Sequence, residues 1–144
     1  MSDTSVPKAG LRCLLLQTGQ IQCAIPIRQI RQVMRAATLY PLPGASPELL
    51  GLAEVGGEPT PVLDLARLIQ APQGGIPAFP VHIVADIGSA GRKERVALAA
   101  DAALTIAEIA PSEVAGPAAG LVQGEVMAGG HPTRLLNLEA LEHE

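Results

Sequence analysis

The chain has 144 residues, one domain's worth and long enough to bury a substantial core. With one Phe (Phe79), one Tyr (Tyr40) and no Trp, that core must be built from Leu, Ile, Val and Ala, and almost nothing is left to make aromatic platforms for stacking bases. A formal net charge of −4 and a pI near 5.3 oppose a phosphate-neutralising surface, so nucleic acid is not an expected partner.

Residues 1–10 carry no hydrophobic period and read as a disordered lead-in to a single domain over 11–144. Cys13 and Leu15 alternate with Leu14 and Leu16. Beyond a turn at Thr18-Gly19-Gln20, Ile21, Cys23, Ile25 and Ile27 alternate with Gln22, Ala24 and Pro26, which makes a hairpin. Pro26 suits the first turn of a short helix with Ile27, Ile30 and Val33 or Met34 on one face and Arg28, Arg31 and Arg35 on another, ending before Tyr40-Pro41. Pro41, Pro43 and Pro47 punctuate a loop. Gln70 to Ala78, rich in Pro and Gly, is the clearest internal linker and predicts a subdomain boundary near 70–78. Val81, Ile83, Ala85 and Ile87 alternate with His82, Val84 and Asp86. The stretches 95–101 and 103–109 read as further strands, and the chain closes in a short helix carrying Leu138 and Leu141. The aliphatic faces so defined predict burial of Ile25, Ile30, Leu63, Val81, Ile83, Leu98 and Leu136.

The most informative pattern is an internal repeat. Residues 51–69 pair without gaps with 124–142, and eight of the 19 positions are identical: Gly51/Gly124, Gly56/Gly129, Gly57/Gly130, Pro59/Pro132, Thr60/Thr133, Leu63/Leu136, Leu65/Leu138 and Leu68/Leu141. In each copy a Gly-Gly turn separates two short apolar runs, and an Asp or Asn then stands where a helical turn needs its N-cap. A pseudo-duplicated, mainly β module follows, whose seam is a docking surface rather than a catalytic cleft.

Catalytic and metal-binding patterns are not found. His82, His131 and His143 lack a spacing that would gather metal ligands. His82 falls on the polar-leaning face of its strand. Asp64 is better read as an N-cap than as a general acid, and Asp101 as a turn contact. No catalytic residue, metal or cofactor is expected. Cys13 and Cys23 could face each other in the first hairpin, although reduced buried thiols fit an intracellular chain better. The basic stripe Arg28, Arg31 and Arg35 is a solvated face or a grip for an acidic partner. With neither a leader nor a long apolar span, the expectation is a cytoplasmic chain with no direct membrane insertion.

The order of the segments resembles the CheW-like domain of bacterial chemosensory coupling proteins over roughly residues 11–142. Ile25-Pro-Ile-Arg-Gln-Ile-Arg-Gln-Val33 resembles that family's "ilkVqEI" segment, and residues 51–65 follow its "GvxNLRGxxxPvxDL" closely. Val96-Ala-Leu-Ala-Ala-Asp101 resembles "vGLlVD", and 124–138 the closing motif. The resemblance implies an all-β fold of two SH3-like five-stranded β-barrels sharing a hydrophobic core. It also implies a non-enzymatic scaffold that couples the cytoplasmic tip of a chemoreceptor to the regulatory domain of a CheA-type histidine kinase. It places the partner groove at Ile30, Gln32, Val33, Gly51, Glu54, Gly56 and Gly57. At three positions the chain departs from the pattern: Glu54 stands for Asn, Gly56 for Arg and Gln32 for Glu. Lost charge-assisted contacts imply weakened receptor docking, and with it an alternative reading, a degenerate interaction module acting as spacer or antagonist.

Overall fold

The computed structural model describes residues 10–72, 80–88 and 93–141. The lead-in 1–9 and most of the 70–78 linker lie outside these residues. The chain forms β1 (Leu11–Thr18), β2 (Ile21–Pro26), β3 (Gln32–Arg35), β4 (Leu49–Val55), β5 (Glu58–Asp64), one helical turn α1 (Leu65–Leu68), β6 (Val81–Ile87), β7 (Glu94–Ala100), β8 (Ala102–Ile109), β9 (Val122–Ala128), β10 (His131–Leu136) and a last 3-10 turn Leu138–Leu141. Two five-stranded sheets result, ordered β8-β1-β2-β10-β9 and β3-β6-β7-β5-β4. The mainly β fold of two five-stranded units is therefore present; among the described residues neither ladder closes on itself, so each unit is an open sheet rather than the closed barrel that the family resemblance implies.

The two sheets interleave. β1 to β5 and β6 to β10 are equivalent halves, but each sheet takes its first two strands from one half and its last three from the other. Each exchanged hairpin is joined on both sides to strands of the other half, by the parallel pairs β2 with β10 (Thr133 opposite Gln22) and β7 with β5 (Val62 opposite Ala97) and by the antiparallel pairs β1 with β8 and β6 with β3. The boundary expected near 70–78 therefore separates sequence halves and not sheets, since β5 before it and β6 after it both lie in the second sheet. The chain passes between sheets at 27–31 and at Asp101. A hairpin such as β1-β2 is marginal by itself, and borrowing three strands from the other half gives it a sheet.

The repeat is exact in its backbone devices. Gly56 and Gly57 take φ of 58° and 82°, and Gly129 and Gly130 take 59° and 82°, the signature of a two-residue hairpin turn with both central residues left-handed. In both hairpins the ladder skips one residue just before the leading glycine. Gly51 and Gly124 are required because a connecting segment crosses there: a Cβ on Gly51 would stand 2.7 Å from the Tyr40 carbonyl oxygen, and one on Gly124 2.8 Å from that of Ala115. The expected caps form, with the Asp64 carboxylate accepting from Arg67 N (3.4 Å) and the Asn137 side chain accepting from Glu139 N (3.1 Å).

Burial on both faces of the central strands explains their unbroken apolar runs. On β1, Cys13 and Leu15 enter an inner core of the first sheet with Ile109, Val126 and Leu135. Leu14 and Leu16 turn the other way, into a central core between the sheets with Ile25, Ile83, Leu98, Leu136 and Leu138. A smaller inner core of the second sheet holds Ala53, Val55, Val62, Val84, Ala97 and Ala99. Ile25, Ile83, Leu98 and Leu136 are fully buried as expected, whereas Ile30, Leu63 and Val81 are half-buried against the central core.

The helix expected from Pro26 does not form. A 3-10 turn spans only Ile27–Gln29, Ile30 is extended, and Gln32–Arg35 is a strand. The open edge of β6 wins: Arg31 N donates to the Val84 carbonyl at 2.7 Å, and Val33 pairs with Ile83. A short helix with three apolar side chains on its face has too little nucleation to compete, and β-branched Val33 prefers the strand.

Leu98→Ala should lower unfolding free energy by about 2–5 kcal/mol in denaturant titrations, and half-buried Leu63→Ala by clearly less.

Candidate functional site

The residues proposed as a partner groove fall into two groups. Ile30, Gln32 and Val33 lie at or beside β3, one edge of the second sheet, with Val33 42% exposed. Gly51, Glu54, Gly56 and Gly57 belong to the β4-β5 hairpin at its other end, with β6, β7 and β5 lying between the edge strands β3 and β4. Gly51 is buried beneath the 40–41 backbone and serves that crossing, while Glu54 is exposed and pairs across the hairpin with Pro59. The basic stripe is also broken up, because its helix does not exist: Arg31 is tied to Asp86, while Arg28 and Arg35 are exposed on different elements.

What links the two groups is Arg95, which sequence reading missed. Its Nη1 donates to the Val55 carbonyl at 3.2 Å and lies 3.4 Å from where a Cβ on Gly56 would be. The same nitrogen is 3.6 Å from Glu58 Oε1, and Nε is 3.8 Å from Asp86 Oδ1. Asp86 in turn accepts from Arg31 Nη1 at 2.8 Å. Glu58, Arg95, Asp86 and Arg31 thus form an alternating chain of charge running from the hairpin turn to the β3 edge. Such pairs, part-exposed, contribute about 0–1 kcal/mol each, so they position side chains more than they hold the fold. The available signal was the opposed charge of Asp86 and Arg95 on the two strands of one hairpin, facing each other in register near its turn.

A second feature is a cavity of about 630 Å³ between the end of α1 and the first sheet, walled by Leu68, Gln70, Pro117 and Val122, with Glu125 and Arg134 at its polar side. Arg134 Nη1 donates to the Ile69 carbonyl at 2.8 Å and its Nε is 3.9 Å from Glu125 Oε2. None of the proposed groove residues lines it.

The remaining reactive side chains have structural environments. Cys13 and Cys23 lie on opposite faces of their sheet and pair with Pro26 and Leu16 respectively, so they cannot be bridged within the hairpin. Burial pushes their thiols up to about 11 and about 12. His82, expected on a polar-leaning face, is fully buried, with Nδ1 accepting from Ala37 N at 3.4 Å and no hydrogen bond to Nε2. Asp101 accepts from Gly19 N at 3.0 Å, the turn contact anticipated. His131 is exposed at a turn, and His143 lies outside the described residues. Among the described residues no group of three or more His, Cys, Asp or Glu side chains could hold a metal ion. No helix there is long and apolar enough to cross a membrane.

Desolvation holds the folded-state pKa of His82 below the ordinary 6.5. The unfolded chain therefore binds the proton first, and this contribution to stability is full above pH 6.5 and declines as the pH falls below it. Denaturant midpoints measured from pH 7.5 down to about pH 5 should fall accordingly, and His82→Leu should flatten that part of the profile.

The model of the CheW-like domain family matches residues 12–144. Among solved structures, that of the scaffolding protein TtCheW from Thermoanaerobacter tengcongensis superposes with a TM-score of 0.76 at 17% identity, over 92% of each chain. At that identity the likeness is one of fold. The comparison with curated proteins finds no match.

Proposed function

Because this chain belongs to the CheW-like domain family, we propose that it is a non-enzymatic, cytoplasmic adaptor that couples a chemoreceptor's cytoplasmic tip to the regulatory domain of a CheA-type histidine kinase. The family match across nearly the whole chain carries this reading, and the scaffolding role named for the similar TtCheW structure supports it. A sheet edge offers free backbone groups to a partner strand, and the second sheet presents such an edge with Val33 and Gln32 on β3 and the Gly56-Gly57 hairpin turn at its other end.

A second reading, a degenerate module that no longer couples receptors, is favoured by Gln32, Glu54 and Gly56, where the family pattern has Glu, Asn and Arg. Arg95 weighs against it. Its guanidinium lies beside Gly56, so a planar donor fork stands near that turn although it comes from a different strand. Adding an arginine at 56 would then bring two cations together and would also force a Cβ onto a left-handed backbone.

Calorimetric titration with a kinase regulatory domain and, separately, with a receptor cytoplasmic fragment tests both readings. The adaptor reading expects binding to both, with receptor affinity falling about tenfold or more in Arg95→Ala and not improving in Gly56→Arg. Binding to the kinase domain alone would favour the spacer reading, and binding to neither would overturn coupling altogether.

A further inference from the structure

Four strands end the two sheets, and three of those edges are protected. The outer side of β9 is covered by the Ala115–Glu125 backbone pair (2.9 and 2.7 Å), and that of β4 by the Tyr40–Leu52 pair (2.8 and 3.0 Å). β3 is only four residues long, with Arg31 just before it and Arg35 as its last residue. The fourth edge, β8, is eight residues long, and among the described residues no backbone bond reaches its outer side. Long bare edges recruit other strands, and proteins usually blunt them with charge, proline or a cover. β8 has no proline, and its only charge is Glu108 near one end.

Its exposed surface is apolar as well. Leu104 is 48% and Ile106 49% exposed, although both sit in a strand whose neighbour β1 is buried. The ladder to β1 steps past Leu104, which has no partner on that side.

The run Ala103-Leu104-Thr105-Ile106-Ala107 reads almost the same in both directions. Antiparallel to itself with Thr105 opposite Thr105, it sets Leu104 against Ile106, Ala103 against Ala107 and Glu108 against Ala102, so apolar meets apolar and no like charges oppose each other. We propose that β8 pairs with β8 of a second copy of this chain about a two-fold axis at Thr105, joining two five-stranded sheets edge to edge. A two-fold contact needs a patch complementary to itself, and the near-palindrome supplies one, which an arbitrary partner strand would not require.

The full chain, studied by sedimentation and light scattering from low micromolar to submillimolar concentration, should rise from monomer to dimer mass. Leu104→Lys combined with Ile106→Lys should hold it monomeric. Directly opposed residues of an antiparallel pair have Cα atoms roughly 4.5–5.5 Å apart, within disulfide reach. Thr105→Cys should therefore form a disulfide-linked dimer under mild oxidation, while Met127→Cys, exposed on β9, should not. A chain that stays monomeric throughout, a dimer unaffected by the lysine pair, or equal cross-linking at 105 and 127 would each overturn the proposal.

Discussion

Four strand pairings between the two halves of the sequence hold this molecule in one piece: the parallel pairs β2 with β10 and β7 with β5, and the antiparallel pairs β1 with β8 and β3 with β6. Each joins a strand from one half of the sequence to a strand from the other, so neither sheet can be completed by a half alone. The large central core depends on them, because it is made where the faces of the two exchanged hairpins meet: Leu14, Leu16, Cys23 and Ile25 from one, Ile83, Ala85, Val96 and Leu98 from the other. With almost no aromatic side chains available, burial comes from many aliphatic contacts on both faces of the inner strands, at roughly 1.5–3 kcal/mol for each large side chain. This arrangement leaves little freedom for the halves to separate without exposing most of the core.

Features encoded by neighbouring residues were legible in the sequence. The Gly-Gly turns, the Asp64 and Asn137 caps, the first hairpin and the alternation of β6 rest on backbone conformations that a few adjacent residues determine, and the repeat doubled each signal. The exchange of strands was not legible, because a linker of Pro and Gly between two repeats looks the same whether they fold side by side or interleave. The segment 26–35 was misread for a related reason. Its spacing satisfies a helical period, but the decisive partner is β6, some 50 residues later, whose edge accepts Val33 and the Arg31 amide. His82 was misplaced because a strand covered on both faces makes its polar-looking side as dry as the other.

The candidate site shows the same limit. Motif comparison reads position by position, and at Gly56 it finds a missing cation. The structure brings Arg95 to the same turn from β7, held by the Val55 carbonyl and flanked by Glu58 and Asp86. A guanidinium is a donor fork on a long stem, so its head group can reach one place from more than one backbone origin. Loss of a residue from a motif and loss of its chemistry from a surface are therefore separate events, and only the first is visible in a linear pattern.

Duplication gave this chain two surfaces of nearly the same shape, and substitution has made them chemically different. At equivalent positions of the repeat Leu52 corresponds to Glu125, Pro61 to Arg134 and Glu54 to Met127, so where one hairpin carries the Glu125–Arg134 ion pair the other carries the apolar pair Leu52–Pro61. The backbone of the two hairpins is preserved by the glycines that the crossings and turns demand, which leaves these outward positions free to diverge without cost to the fold. The two hairpins thus carry two different surface chemistries on one backbone, which is what the proposed bridging of two unlike proteins would require.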